Sequence, residues 1–236
     1  MAKPREKFKV WGDVFDRFTL LTIEKLIDKK CFDELKSPIS IGKEANVFSA
    51  RTGDKLVAVK IYRLETCDFN RMYDYIRADP RYSGLRRRRR LVIFAWCQRE
   101  YRNLLKARAA GVRVPSPIAF LNNVLVSEFI GDEEPAPKLK DALPKDPADF
   151  AERVIDYIKK LYNAGMVHTD LSEYNILNWN ENPVLIDFSQ ATTVDNPNFK
   201  EYLDRDINNV CRFFRKLGLN LENEKILKEI SLKGNN

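Results

Sequence analysis

The sequence predicts a two-lobed α+β protein, with short strands and one long helix first and mainly helices with a single hairpin afterwards. Three observations predict it. Three strand-like runs follow one another between residues 38 and 63, with a turn signal between the last two. Strongly helical patterns occupy residues 87–110 and 147–164, each closed by a glycine. A Pro-, Asp- and Glu-rich stretch from Gly131 to Pro147 separates the two kinds of pattern and suits a hinge between lobes. The expected division is 1–37 as an N-terminal helical extension, 38–130 as the first lobe and 131–236 as the second.

At 236 residues the chain can bury one sizeable core or two intimately packed lobes. An apolar content of 44% with 11% aromatics is that of a globular protein. There is no run long and apolar enough for a membrane span, and the basic start Met1 to Lys9 lacks the apolar core of a signal peptide. A cytoplasmic protein without a membrane partner is the expectation. Cys31, Cys67, Cys97 and Cys211 are scattered, matching neither zinc spacing nor a disulfide framework. His168 is the single histidine, so His-rich zinc sites are excluded and a Ser-His-Asp hydrolase would depend on this one residue.

The elements follow in order. Residues 14–35 place Phe18, Leu21, Ile23, Leu26 and Ile27 at helical spacing, and Pro38 ends that pattern. The strands SPISIG, ANVFSA and KLVAVKIYR come next, the last two joined by Arg51-Thr52-Gly53-Asp54. Residues 64–86 are charged without clear periodicity and are expected to form a mobile excursion. Ile118–Leu121 and Val124–Phe129 read as strands around Asn122-Asn123. Asp146 should cap the helix that buries Phe150, Val154, Ile158 and Leu161. NILNWNENPVLIDF reads as a hairpin, and the tail from Asn198 as helical.

The chemistry is concentrated in a few segments. His168-Thr169-Asp170-Leu171-Ser172-Glu173-Tyr174-Asn175 is followed by Ile186-Asp187-Phe188. A loop carboxylate, a carboxamide and a strand-borne carboxylate brought together by one hairpin supply an orienting base and hard oxygen ligands for Mg²⁺, as phosphoryl transfer demands. The bland alternative is that Asp170 and Asn175 cap turns and Asp187 ends a strand; the order and spacing disfavour it. In Val57-Ala58-Val59-Lys60, period two puts Ala58 and Lys60 on one face. A lysine within an apolar strand is costly to bury without a phosphate or carboxylate partner. Glu100 is the only acid between Arg81 and Ser127, so it is the expected partner, although Arg99 or Lys106 could claim it instead. Ser40-Ile41-Gly42-Lys43-Glu44-Ala45-Asn46-Val47 lies where a phosphate-covering turn belongs, but its one glycine also suits an ordinary hairpin.

The charge is uneven. Net charge is +7, and Arg63–Arg113 alone holds 14 basic against 5 acidic residues, peaking at the five arginines Arg86–Arg90. A solvated helix start and a footprint for RNA or another polyanion both fit that pattern.

Together, Lys60, Glu100, the H-x-D-x-x-x-x-N loop and the I-D-F strand resemble the protein-kinase set. More narrowly, I-G-K-E-A-N-V-F, H-T-D-L-S-E-Y-N-I-L and I-D-F-S-Q are similar to the RIO family of atypical serine/threonine kinases, type-1 branch, from about Pro38 to Leu219. The resemblance implies a truncated protein-kinase-like fold with an N-lobe antiparallel sheet and one helix, a mainly helical C-lobe and no A-P-E segment. It implies ATP with Mg²⁺, Mn²⁺ being the substitute ion, ATPase and autophosphorylation activity, and a monomer acting on the small ribosomal subunit precursor or its rRNA through the basic segment Arg81–Arg113. By that resemblance Lys60, held by Glu100, grips phosphates, and Asn175 and Asp187 hold the metal. Asp170 orients the acceptor, Asp187 passes through a phosphoaspartate, and His168 braces the loop. Adenine would sit between Val47, Ala58 and Ile186, with Glu128 and Ile130 as hinge. A flexible insertion is implied at about 65–90, with Ser83 as the candidate autophosphorylation site by position only, an unmodified loop serine fitting equally well. Ser189 in place of the D-F-G glycine and Ser172 in place of a lysine depart from the kinase pattern and argue against efficient phosphorylation of exogenous peptides. The alternatives are a small-molecule kinase of the aminoglycoside or choline type, a KEOPS-type kinase, and an RNA-binding scaffold with vestigial activity.

Overall fold

The computed structural model describes residues 14–233; the basic stretch Met1 to Lys9 lies outside them. The chain divides into two compact units. One holds the chain up to Arg77 with Tyr82–Tyr101 and Pro117–Phe129, and the other holds Ala78–Arg81, Arg102–Ser116 and the chain from Ile130 onward.

The first unit is built on a five-stranded antiparallel sheet of order β1-β2-β3-β5-β4, formed by β1 (Glu34–Ile41), β2 (Ala45–Thr52), β3 (Lys55–Tyr62), β4 (Pro117–Leu121) and β5 (Val124–Glu128). In β3, Val57, Val59 and Ile61 are buried while Ala58 and Lys60 are half-buried, the alternation that one covered face imposes. Pro38 sits inside β1, in the strand read from SPISIG, flanked by register shifts; the helical pattern read to residue 35 ends earlier, at Asp28, and β1 already begins at Glu34. β1 is an edge strand, where the missing proline donor costs least and a bulge absorbs the ring.

Helix α1 (Arg17–Asp28) is capped by Asp16, whose carboxylate accepts from the amides of Phe18 at 3.0 Å and Thr19 at 3.1 Å. Its buried Leu20, Ile23 and Leu26 join Phe48, Val59 and Val126 of the sheet in one apolar cluster. Buried Asn123 ties helix to sheet by donating to Thr19 Oγ1 at 3.0 Å and to the Tyr62 carbonyl at 2.9 Å.

Residues 64–86, which show no clear periodicity in sequence, contain α2 (Phe69–Arg77) and a 3-10 turn (Pro80–Tyr82). Met72 and Ile76, four apart, are buried, and Tyr75 meets the Trp96 ring edge-on at 6.3 Å. Two apolar anchors on a nine-residue helix are too few to show as periodicity. Helix α3 (Arg89–Ala109) then runs on to the turn at Gly111 (φ 77°).

In the second unit, α4 (Pro147–Asn163) begins at its Asp146 cap, which accepts from the amides of Ala148 and Asp149 at 3.0 Å each. Its Phe150 packs against Phe214 of α5 (Phe199–Lys216) at 6.3 Å, and α6 (Asn223–Lys233) follows. The expected hairpin is β7 (Ile176–Trp179) with β8 (Asn182–Leu185). Its two turn residues, Asn180 (φ 49°) and Glu181 (φ 63°), both take the left-handed conformation that a two-residue primed turn requires. A second pair, β6 (Met166–Val167) with β9 (Thr192–Thr193), is too short for any sequence pattern to reveal. Among the described residues no helix is long and apolar enough to cross a membrane.

Candidate active site

In the first unit, strand register places Val47 directly opposite Lys60, with Ala58 on the same face of β3. Lys60 Nζ lies 2.8 Å from Glu100 Oε1 on α3, and the two side chains are only 16% and 3% exposed. Tyr62 donates its phenol to Glu100 Oε2, and Lys60 sits 5.1 Å from the Tyr62 ring centre. Both carboxylate oxygens are therefore engaged, which offsets the cost of burying the charge. Cys97, three residues before Glu100, is fully buried; burial first, and then the Glu100 charge, push its thiol well above the ordinary range. All four cysteines are free thiols.

The turn between β1 and β2 closes through the Gly42 amide and the Ala45 carbonyl at 3.0 Å. A Cβ on Gly42 would stand 2.8 Å from that same oxygen, so only glycine permits this closure. Ser40 pairs with Val47 and Ile41 with Asn46, while the Glu44 carbonyl accepts from the Arg63 amide. The Asn46 side chain is buried and accepts from the Arg63 guanidinium at 3.1 and 3.3 Å. Lys43 carries no resolved bond to this turn. Glu128 pairs with Val57 at the end of β5.

In the second unit the loop from His168 to Asn175 is held by bonds that reach far along the sequence. Asn175 Nδ2 donates to the Asp170 carbonyl at 2.8 Å and to Asp170 Oδ2 at 3.2 Å. The Asn175 carbonyl accepts from the Ile186 amide at 3.0 Å, continuing the hairpin ladder and bringing Asp187 to the mouth of the loop. His168 Nε2 is 2.9 Å from the Ile186 carbonyl, and its ring meets Phe188 edge-on at 4.6 Å. Ser189, 4% exposed, donates to Asp187 Oδ1 at 2.7 Å. Thr169 (φ 73°) and Asp187 (φ 62°) both occupy left-handed backbone, a strained state that persists only where surroundings enforce it. Ile130 is buried with Ala136 and Val184, away from solvent. Ser83 is exposed, beside Gly84.

Two enforcing residues had escaped sequence reasoning. Asp206 on α5, 1% exposed, accepts from the Thr169 amide at 2.8 Å and the Leu171 amide at 2.9 Å. Burial lifts its carboxyl to about 6, against the lowering influence of His168 and of those two amides. An acid on the apolar stripe Leu203-Ile207-Val210 was the signal that could have found it. Asn103 on α3, fully buried, donates to the carbonyls of Phe188 at 2.9 Å and Ala191 at 2.8 Å, fixing the turn after Asp187. Asp170 reaches solvent, yet desolvation by the surrounding loop raises its carboxyl; the Asp187 charge adds to the rise while His168 and Asn175 oppose it.

Among the described residues no three His, Cys, Asp or Glu side chains converge as a metal cluster. A Mg²⁺ ion needs no such cage, since it binds one or two carboxylates plus phosphate oxygens and water. Asn175 and Asp187 fit it. Both Asn175 side-chain bonds use the nitrogen, so the carboxamide oxygen is the end left to ligate, and Ser189 steadies the Asp187 carboxylate.

Comparison with solved structures defines the fold. The Rio2 kinase of Chaetomium thermophilum, determined as an ADP/Mg²⁺-phosphoaspartate complex, superposes with a TM-score of 0.69 at 22% identity, over 92% of this chain and 66% of that one. A second Rio2 structure from the same organism gives 0.65 over 83% of this chain. The architecture is therefore that of a two-lobed α+β kinase. The RIO domain profile matches residues 46–226. The RIO-type serine/threonine-protein kinase Rio1 of Haloferax volcanii is 42% identical, over 97% of this chain and 80% of that protein. That of Methanocaldococcus jannaschii is 41% identical over 96% and 78%, and the rio1 kinase of Dictyostelium discoideum is 36% identical over 88% and 37%. This chain belongs to the RIO family of serine/threonine-protein kinases.

Proposed function

We propose that this protein transfers the terminal phosphoryl group of Mg-ATP to a serine hydroxyl of its own chain or to water, in the course of small ribosomal subunit maturation. The observation that carries the reading is the pair of bonds from Asn175 to Asp170, beside an Asp187 close enough to raise the Asp170 carboxyl. Phosphoryl transfer asks for little covalent chemistry and for much positioning. Lys60, presented by its Glu100 partner, binds phosphate oxygens. Asn175 and Asp187 hold Mg²⁺, which neutralises charge on the triphosphate. Asp170 orients the acceptor hydroxyl or water and accepts its proton late. The raised carboxyl of Asp170 suits that role, because a more basic carboxylate takes the proton more readily. Ser40, Ile41, Gly42, Lys43, Glu44, Ala45, Asn46 and Val47 cover the phosphates. Ala58, Val47 and Ile186 flank the adenine, with the backbone of Glu128 and Ile130 as hinge. Asp187 is also the proposed phosphoryl acceptor in a covalent route, and Ser83 the proposed site of self-phosphorylation. The Rio2 structure solved with ADP, Mg²⁺ and a phosphoaspartate supports that route by fold analogy.

The test is Mg-ATP turnover and self-labelling of the wild type beside Asp170→Ala and Asp187→Asn, with and without small-subunit precursor. Wild-type turnover that collapses in both variants and rises with precursor is the expected result. A wild type that neither hydrolyses ATP nor labels itself would leave the RNA-binding scaffold as the better reading.

A further inference from the structure

The five consecutive arginines are not equivalent. Arg87 donates to Asn70 Oδ1 at 2.9 Å and lies 5.4 Å from the Tyr73 ring centre. Arg89 donates to the carbonyls of Glu65 at 2.8 Å and Cys67 at 3.3 Å, and lies 5.4 Å from the Phe69 ring. Arg90 lies 5.1 Å from the Phe18 ring, which itself stacks on Phe94 at 5.5 Å. These three guanidiniums fasten α2 and α1 beside the start of α3. Arg86 and Arg88 differ. All five are exposed, so the difference lies in their bonds: the one between Arg86 and Arg88 is a backbone bond, Arg88 amide to Arg86 carbonyl at 2.7 Å, and among the described residues their side chains make none.

A run that was only structural would engage every member, and a run that was only solvated would engage none. Here three members are engaged and two are not. We infer that Arg87 and Arg89 form a clasp holding α2, and that the clasp presents Arg86 and Arg88 as the phosphate-binding pair for an RNA backbone. This deepens the proposed association with a ribosomal precursor and rests on that reading. Guanidinium forks match phosphate and carboxylate oxygens alike; RNA is favoured because its evenly charged phosphate backbone suits the 14 basic against 5 acidic residues of Arg63–Arg113. The local field of the whole Arg63–Arg113 segment supplies long-range attraction. Tyr73 and Phe69 are already covered by arginines, so base stacking is not part of the site and no sequence preference is expected.

The experiment compares Arg86→Ser/Arg88→Ser with Arg87→Ser/Arg89→Ser in the full chain. Binding of a labelled 20-nucleotide oligouridine is followed by anisotropy across a salt series. Chymotrypsin, which cuts at aromatic residues and is blind to the substitutions, reports whether residues 69–75 stay protected. The first variant should lose about tenfold or more in affinity near 0.1 M salt and flatten the salt slope by about 1.4, the share of two single-strand phosphates, while its α2 stays protected. The second should open α2 to cleavage and keep more of the slope. The inference is overturned if wild type does not bind the oligonucleotide, or if the first variant binds with wild-type affinity and slope. It is equally overturned if the second variant loses the affinity with α2 still protected, or if polyglutamate competes as well as oligouridine at equal charge. Mg-ATP turnover of the same wild-type preparation is read separately. Binding without turnover would count against the kinase reading alone.

Discussion

The candidate residues of the first unit and those of the second are held by different means. In the first unit Lys60 and Glu100 stand on a strand and a helix, and each is the other's partner at 2.8 Å. Regular backbone delivers both side chains, and burial leaves the pair little alternative. In the second unit Asp170, Asn175 and Asp187 stand on a loop and on the end of a hairpin, with left-handed backbone at Thr169 and Asp187. Nothing in that loop's own repeat fixes it. Asp206, 36 residues beyond Asp170, and Asn103, 84 residues before Asp187, fix it from outside through four backbone bonds. A pair on regular elements is built by periodicity, whereas a strained loop must be buttressed by polar groups buried elsewhere.

The comparison can be broken in order of expected effect. Asp170→Ala should lower kcat by about three powers of ten or more with nucleotide affinity little changed, since in the proposed mechanism it removes an orienting group and no phosphate contact. Single-turnover kinetics beside nucleotide titration separates the two quantities. Glu100→Ala removes the carboxylate that both the half-buried Lys60 and the Tyr62 phenol bond to. It should cost about 3–5 kcal/mol of stability by urea unfolding while the 168–175 loop stays ordered. If instead the loop were lost with it, the two sets would not be independently built.

Asp206 gives a pH signature to the second set. Its carboxyl is about 6 when folded, above the ordinary 3.8. Between those values the folded form keeps a proton that the unfolded form has released. The stability it contributes is full below the unfolded value and is lost as pH rises through about 6. The gap should approach roughly 3 kcal/mol by pH 7. Urea unfolding of wild type and Asp206→Asn at pH 4 and pH 7 measures it, because the variant lacks this titration. A wild-type-minus-variant difference that does not change with pH would contradict the buried, protonatable state. The smallest effect belongs to Tyr62→Phe, which removes one donor from Glu100 and should cost about 1 kcal/mol, with nucleotide affinity reduced modestly. Thermal denaturation and nucleotide titration check it.

Much of this was legible beforehand, and particular residues show why. The β3 alternation, the Asp146 cap and the Asn180-Glu181 turn are local signals, complete within a few residues. The Lys60–Glu100 pair was readable because no other acid lies nearby in sequence. Helix α2 was not, because its order comes from Trp96 and from the Arg87 and Arg89 clasp rather than from its own pattern. Glu34 and Leu35, read with the helical segment, misled for a related reason: only their pairing with Arg51 and Ala50 makes them strand.

What the sequence by itself determined is therefore the set of elements with strong periodicity and the order of the polar residues along them. Those depend on neighbours three, four or two positions away. Which residues hold the loop at Asp170, and which arginines make side-chain bonds and which do not, were decided only by the tertiary structure. Those bonds join segments from 17 to 88 residues apart, and a buried polar group finds its partner only once the chain has closed around it.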